Sequence, residues 1–265
     1  MAGSNKAKIA KRVIEVLEYF DDEHSEATVM DIVRRYGRPQ SSTSELLSSL
    51  VELGLLYKDN YSRSYRLTPR AGLLGAQVQP DMVRSGRLTN AIDTLVRQTG
   101  LSVALFGMVN LNAQIFPWRN GRHLGPVSRT NRFQGGKLER LCDTAAGWML
   151  LSTVEEKKRE SMLRHLQAEA SRPSEHTLPQ VRHAIQLARR NGASYGPAGF
   201  DSQSKIHAVL LPDDMGDRPM ALAFVHEPSA HVDEAAAIKT LKDAVATLIV
   251  PGPAERDSVR NLHAA

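Results

Sequence analysis

Cysteine is almost missing from these 265 residues, Cys142 being the only one. An intrachain disulfide and a multi-cysteine zinc site are thereby excluded, and such usage suits a reducing compartment. Aromatic residues are scarce at 5%, so a core of Ala, Leu and Val is expected. No apolar run approaches the ~18 residues of a membrane span, and the leading residues Met1-Ala2-Gly3-Ser4-Asn5-Lys6 lack a signal-peptide core. A cytoplasmic protein is expected. Also missing are a Gly-rich phosphate loop, a nucleophile elbow and a paired-carboxylate motif. The nine histidines do not pair at metal-ligand spacing. No catalytic residue, metal or cofactor is therefore expected.

What is present is a net charge of +5, which favours anionic partners without identifying them, and a patterned segment over residues 28–68. Thr28 and Asp31 read as an N-cap with a near capping box, Val29, Ile32 and Val33 as the apolar side of a first helix, and Gly37 as its left-handed end. A tight turn at Arg38-Pro39 leads to a second helix with Leu46, Leu47, Leu50 and Leu53 on one face. Gln40, Ser41, Ser42, Ser44, Glu45, Ser48 and Ser49 lie on the other. That outer face is short, polar and nearly uncharged, so its hydroxyls and amides can approach base edges closely. Ahead of the pair, Ile9, Val13, Val16, Leu17 and Phe20 predict a third amphipathic helix. Leu55 to Lys58 and Arg63 to Thr68 predict two short strands around Asp59-Asn60-Tyr61-Ser62. Together these pieces read as a winged helix-turn-helix, which delivers a helix to the DNA major groove. Arg38, Gln40, Ser41, Ser42, Thr43, Ser44, Ser48, Lys58, Arg63 and Tyr65 are the expected DNA-binding residues. Glu45 has two readings: it closes a capping box with Ser42, or it contacts a cytosine.

Bulk charge does not betray such a domain, since residues 1–76 hold 11 Lys/Arg against 10 Asp/Glu. Placement does better. Asp21, Asp22, Glu23 and Glu26 crowd the loop after the first helix. Lys6, Lys8, Lys11 and Arg12 mark the leading end, Arg38 the turn, and Lys58, Arg63 and Arg66 the wing, where cations can track phosphates.

A chain of this length suits two domains. Beyond the wing, Leu88, Ile92, Leu95 and Val96 form a helical stripe ending at Gly100. Leu101 to Val109 and Ala113 to Trp118 predict a hairpin, and Thr144 to Leu151 a short helix. A longer helix then opens with a Thr153-x-x-Glu156 capping box, Pro173 to Pro179 reads as a loop, and Gln180 to Asn191 as a helix stopped by Gly192. Strands are expected at Ile206 to Leu211 and Met220 to His226, around a turn from Pro212 to Pro219, and a last helix at Val232 to Val250. The expected organisation is a DNA-binding domain at 1–76, a linker helix at 77–100, a second domain at 101–250 and a frayed tail at 251–265.

The order of these pieces resembles the isocitrate-lyase-regulator (IclR) family of bacterial transcription factors. The likeness is most specific from Pro39 to Leu50, which follows the family's Pro-x-Ser-Thr-Val-x-Arg-Leu-Leu-x-x-Leu without a gap, and at Tyr65-Arg66-Leu67-Thr68-Pro69-Arg70. Glu45 replaces the family's usual Arg. The resemblance implies an α+β chain: an N-terminal winged helix-turn-helix, a linker helix, and a C-terminal GAF-like effector domain with an antiparallel sheet flanked by helices. It also implies a homodimer or homotetramer on an inverted-repeat operator, with a small-molecule effector.

In the effector half, Leu141-Cys142-Asp143-Thr144-Ala145-Ala146-Gly147-Trp148 corresponds to the family stretch whose backbone amides line one end of the ligand pocket. Ala208 stands where relatives often have a ligand-facing Cys, and Phe224 and His226 where they have small hydroxyls. The expected effector-binding residues are therefore Asp143, Thr144, Ala145, Ala146, Ala208, Phe224 and His226. A carboxylate at position 143 is expected to satisfy the helix start and repel a small acid. A bulky or aromatic metabolite is expected instead, with Phe224 as a stacking wall and His226 as a polar tip. The alternatives are a Phe224 that merely fills the core with no ligand bound, and a winged helix that meets protein rather than DNA.

Overall fold

The computed structural model describes residues 5–21, 24–122, 133–168, 176–212 and 219–249, and the chain divides into two compact units, Met1–Gln79 and Pro80–Ala265. Residues 213–218 of the expected turn, residues 173–175 of the expected loop, the tail at 251–265, Asp22, Glu23 and the Lys6 side chain lie outside the described residues.

The first unit has three helices, α1 (Asn5–Tyr19), α2 (Val29–Tyr36) and α3 (Gln40–Glu52). A hairpin of β1 (Leu56–Lys58) and β2 (Tyr65–Leu67) follows, then a short α4 (Pro69–Leu73). The start of α2 is fixed by a reciprocal cap: the Asp31 carboxylate accepts the Thr28 N–H at 2.8 Å while the Thr28 hydroxyl accepts the Asp31 N–H. Gly37 ends it at φ 62°, a conformation that costs a residue with a Cβ. Along α3, Thr43, Leu47 and Leu50 form the buried stripe and pack with Val16, Ile32, Leu56 and Tyr65. Leu53, expected on that stripe, is 60% exposed because the helix stops at Glu52 and Leu53 is its C-cap. On α1, Val16 is buried and Val13 partly so, as is Phe20 just past its end, whereas Ile9 is exposed.

The second unit opens with α5 (Asp81–Arg84) and α6 (Arg87–Thr99), so the stretch 77–100 holds two helices, and α6 buries Leu88, Ile92 and Leu95. A six-stranded antiparallel sheet follows in the order β5-β4-β3-β8-β7-β6. Its strands are β3 (Ser102–Val109), β4 (Asn112–Arg119), β5 (Leu138–Arg140), β6 (Ser194–Pro197), β7 (Lys205–Leu210) and β8 (Met220–His226). The helices are α7 (Ala145–Leu151), α8 (Glu156–Ala168), α9 (Leu178–Asn191) and α10 (Glu234–Ile249).

Both faces of the sheet are covered, which is why β3, β7 and β8 read as almost unbroken apolar runs. Alternation along each strand separates two cores. Ala104, Phe106, Ala208, Ala223 and Val225 join α7, α8 and α9, while Val103, Leu105, Val209, Leu222 and Phe224 join α6 and α10. The first core has a floor of methyl groups: Ala145 and Ala146 of α7 share it with Ala208, Ala221 and Ala223. Beneath α7, a Cβ added at Gly196 would stand 2.6 Å from Trp148 Cζ3 and 3.4 Å from Ala145 Cβ, so only glycine lets helix and strand approach this closely.

One capping expectation changes here. The Thr153 hydroxyl donates back to the Leu150 carbonyl at 2.8 Å, and α8 starts only at Glu156. A reciprocal cap forms instead between Thr177 and Gln180 and starts α9.

Candidate nucleic-acid interface and ligand-facing residues

Pro39 is the N-cap of α3, without a side-chain cap. Ser42 is therefore already helical and forms no capping box with Glu45, whose side chain is exposed. Residues 41, 44, 45 and 48 fall at the spacing of one helical face. Ser41, Glu45 and Ser48 are exposed there, Ser44 is half-buried, and Gln40 is exposed at the leading end. Several hydroxyls and one amide thus face outward with little charge among them.

Two residues expected on this surface belong to the core. Thr43 is 1% exposed, its hydroxyl donating to the Pro39 carbonyl at 2.9 Å, because it sits on the same stripe as Leu47 and Leu50. Tyr65 is 2% exposed and exchanges backbone hydrogen bonds with Ala27 across a β-bridge. Neither reaches a base edge from there. Two cations also differ from expectation. Arg38 Nη2 donates to both carboxylate oxygens of Glu15, at 3.1 and 3.0 Å. Arg66 is ion-paired to Glu26 at 2.8 Å, and this hydrogen bond and charge hold the Glu26 carboxyl below the usual range. Both charges are already matched inside the unit.

The wing is stiff at its tip. The Asp59 carboxylate accepts the N–H groups of Tyr61 and Ser62 at 2.8 and 3.3 Å, which lowers its pKa. Arg63 adopts φ 54° and is exposed, as is Lys58, whose ammonium lies 5.9 Å from the Tyr65 ring centroid. Tyr61 stands 99% exposed at the turn. Sequence reasoning missed it, although an aromatic between Asn60 and Ser62 in a predicted turn was a visible signal.

In the second unit the expected effector residues fall on opposite faces of the sheet. Ala145, Ala146 and Ala208 lie in the α7 core, whereas Phe224 lies in the α6/α10 core, opposite His207 and Val103 in the strand register. His226, two residues on, shares the side of Phe224, and its ring stacks on His207 at 5.2 Å. Phe224 and His226 therefore do not join Asp143, Thr144 and Ala208 in one pocket. Phe224 instead lines a cleft of about 370 Å³ together with Thr99, Leu101, His231, Asp233 and Thr240.

On the α7 side, Asp143 does not cap the helix. Its carboxylate takes Arg140 Nε at 2.7 Å and the Cys142 thiol at 3.5 Å, and Thr144 is the N-cap of α7. Burial, then the Asp143 charge, push the Cys142 thiol up to about 12, so it stays protonated and unreactive at neutral pH. Among the described residues, Arg140 Nη1 and Nη2 and the Thr144 hydroxyl are buried without a hydrogen-bond partner. The core against α7 holds stacked Trp118 and Phe133 at 4.9 Å, with Phe200 5.7 Å from Phe133 and 6.1 Å from Phe106.

These features define a winged-helix protein with a separate, helix-covered antiparallel α+β unit. Residues 10–60 match the model of the IclR helix-turn-helix domain, and the first unit carries that domain. No curated protein matches the chain. The fold is similar to the crystal structure of Thermotoga maritima IclR, with TM-score 0.60 and 15% identity over 91% of this chain and 97% of that one. It is also similar to an IclR transcriptional regulator from Alicyclobacillus acidocaldarius, with TM-score 0.57 and 20% identity over 92% and 97%. A third likeness is to an IclR homologue from Microbacterium hydrocarbonoxydans complexed with 4-hydroxybenzoate, with TM-score 0.56 and 19% identity over 91% and 97%. The α+β fold expected from the sequence is the fold observed.

Proposed function

We propose that this chain is a sequence-specific transcriptional regulator whose first unit binds double-stranded DNA and whose second unit answers to a small molecule. The observation that carries the DNA-binding half is the exposed, hydroxyl-rich face of α3 within an IclR helix-turn-helix domain. Gln40, Ser41, Ser44 and Ser48 meet the groove floor, and Arg63, Lys58 and the protruding Tyr61 meet the flanking backbone. Two copies in a homodimer, or four in a homotetramer, read an inverted repeat, so that two weak half-site contacts multiply.

The effector is a bulky aromatic molecule bearing an acid. Buried guanidinium nitrogens and a buried hydroxyl without partners are costly unless a ligand meets them, and Arg140 and Thr144 lie just ahead of Ala145 and Ala146, which belong to the core that also holds Trp118, Phe133 and Phe200. The expected repulsion of an acid by Asp143 is removed, because Arg140 Nε neutralises that carboxylate. The 4-hydroxybenzoate bound by the M. hydrocarbonoxydans homologue has this chemistry.

The test is anisotropy titration of the full chain against a duplex enriched from a random pool and a scrambled duplex, over a range of salt. A regulator shows a steep log–log slope and prefers the enriched duplex. Gln40→Ala narrows that preference by about tenfold, as loss of one good base contact does. Arg63→Ala weakens both duplexes alike and lowers the slope by about 0.9. Equal, salt-insensitive and weak binding to both duplexes would instead mark a winged helix that meets protein.

A further inference from the structure

Arg12 of α1 reaches the leading end of α3, where its Nη2 donates to Ser42 Oγ at 3.1 Å across 30 positions of sequence. The Ser42 hydroxyl in turn donates to the Pro39 carbonyl at 3.3 Å. A hydroxyl has one proton and two lone pairs, so Ser42 has its proton directed into the helix and one lone pair committed to Arg12. It is poorly equipped to read a base. It is well placed to hold a long cationic side chain still.

Several other cations of the unit are paired with acids: Lys11 and Arg38 share Glu15, Arg34 pairs with Asp31 and Arg66 with Glu26. Arg12 has a neutral partner and no ion pair among the described residues, so its full charge is presented to whatever approaches α3. Its guanidinium has five N–H groups in a fixed fork, suited to two oxygens of one phosphate. Gln40 and Ser41, exposed in the same first turn of α3, are the residues placed to face base edges. The strand backbone bordering that groove then passes the first turn of the helix, where Ser42 holds Arg12.

We infer that Arg12 is a DNA-phosphate contact of this domain and that Ser42 is its positioning residue rather than a base reader. The inference rests on the DNA-binding reading above and adds a contact from outside the helix-turn-helix pair. Sequence reasoning placed Arg12 only in a basic leading end and assigned Ser42 to the groove.

The same two duplexes and salt series test it with the full-length protein. Arg12→Ala weakens the enriched and scrambled duplexes by a common factor, about tenfold, and lowers the log–log slope by about 0.9. Arg12→Lys restores the slope but not all of the affinity, because an ammonium lacks the bidentate fork. Ser42→Ala costs about threefold on both duplexes, leaves their ratio unchanged, and adds nothing in the Arg12→Ala background, as a shared unit requires. Ser42→Thr, which keeps the hydroxyl, recovers most of the loss. Far-ultraviolet circular dichroism of each variant checks folding, and Arg12→Lys and Ser42→Ala decide the matter if Arg12→Ala does not fold. An unchanged slope in Arg12→Ala, or an altered duplex ratio in Ser42→Ala, overturns this assignment while the DNA-binding reading stands. A wild-type chain without salt-dependent affinity for either duplex overturns both.

Discussion

His207 is 1% exposed and lies between the rings of Tyr195 and His226, with centroids 4.6 and 5.2 Å away. Neither of its nitrogens has a hydrogen-bond partner among the described residues. Burial, and then the charge of His226, lower its pKa from 6.5 to about 4. The unfolded chain therefore takes up a proton near pH 6.5, whereas the folded chain refuses it until about pH 4. The stability this group contributes is present above pH 6.5 and is lost as pH falls towards 4, about 3 kcal/mol in all. Denaturant midpoints measured from neutral to acid pH show this fall in the wild type, and His207→Phe flattens it. Parallel curves for the two proteins would contradict the assignment. The histidine pair was not legible in the sequence, because residues 207 and 226 meet only through strand register. Thr43 was legible in principle: its spacing to Leu47 and Leu50 puts it on the buried stripe, and only its polar type pointed outward.

Elements announced themselves where their stop and start signals were contiguous. Thr28, Asp31 and Gly37 bracket α2 as expected, and Thr28→Ala, which removes one side of the reciprocal cap, is expected to cost about 1 kcal/mol in thermal or denaturant unfolding. An unchanged melting temperature would show that the cap is dispensable. Thr153 misled because a hydroxyl can equally turn back to the preceding helical carbonyl, as it does to Leu150. The strands β5 and β6 were missed for a different reason. With three and four residues they are too short to show a period. β5 buries the charged Glu139, and β6 contains Gly196 and Pro197. Both lie at the sheet edges, where brevity and proline are tolerated.

At the scale of the whole molecule, the order of the longer helices and strands was readable from periodicity, but the partition of side chains between two faces was not. Phe224 and Ala208 look alike as members of apolar strands, and only the pairing of Ala208 with Ala223 and of Phe224 with His207 separates them. If the second unit governs the first through an acid-bearing aromatic ligand, the coupling must run both ways. Benzoate is expected to change duplex affinity by some factor, and saturating duplex to change benzoate affinity by the same factor, measured by calorimetry on the same preparation. A change in one direction only would rule out linked binding. The Ala-lined seat of α7 bears on how such a signal travels. Methyl groups have no rotamers to absorb a push, and Gly196 leaves no soft layer beneath Trp148. Helix and sheet are then expected to shift together where the alanines meet, so a displacement near Thr144 passes to β7 with little local damping.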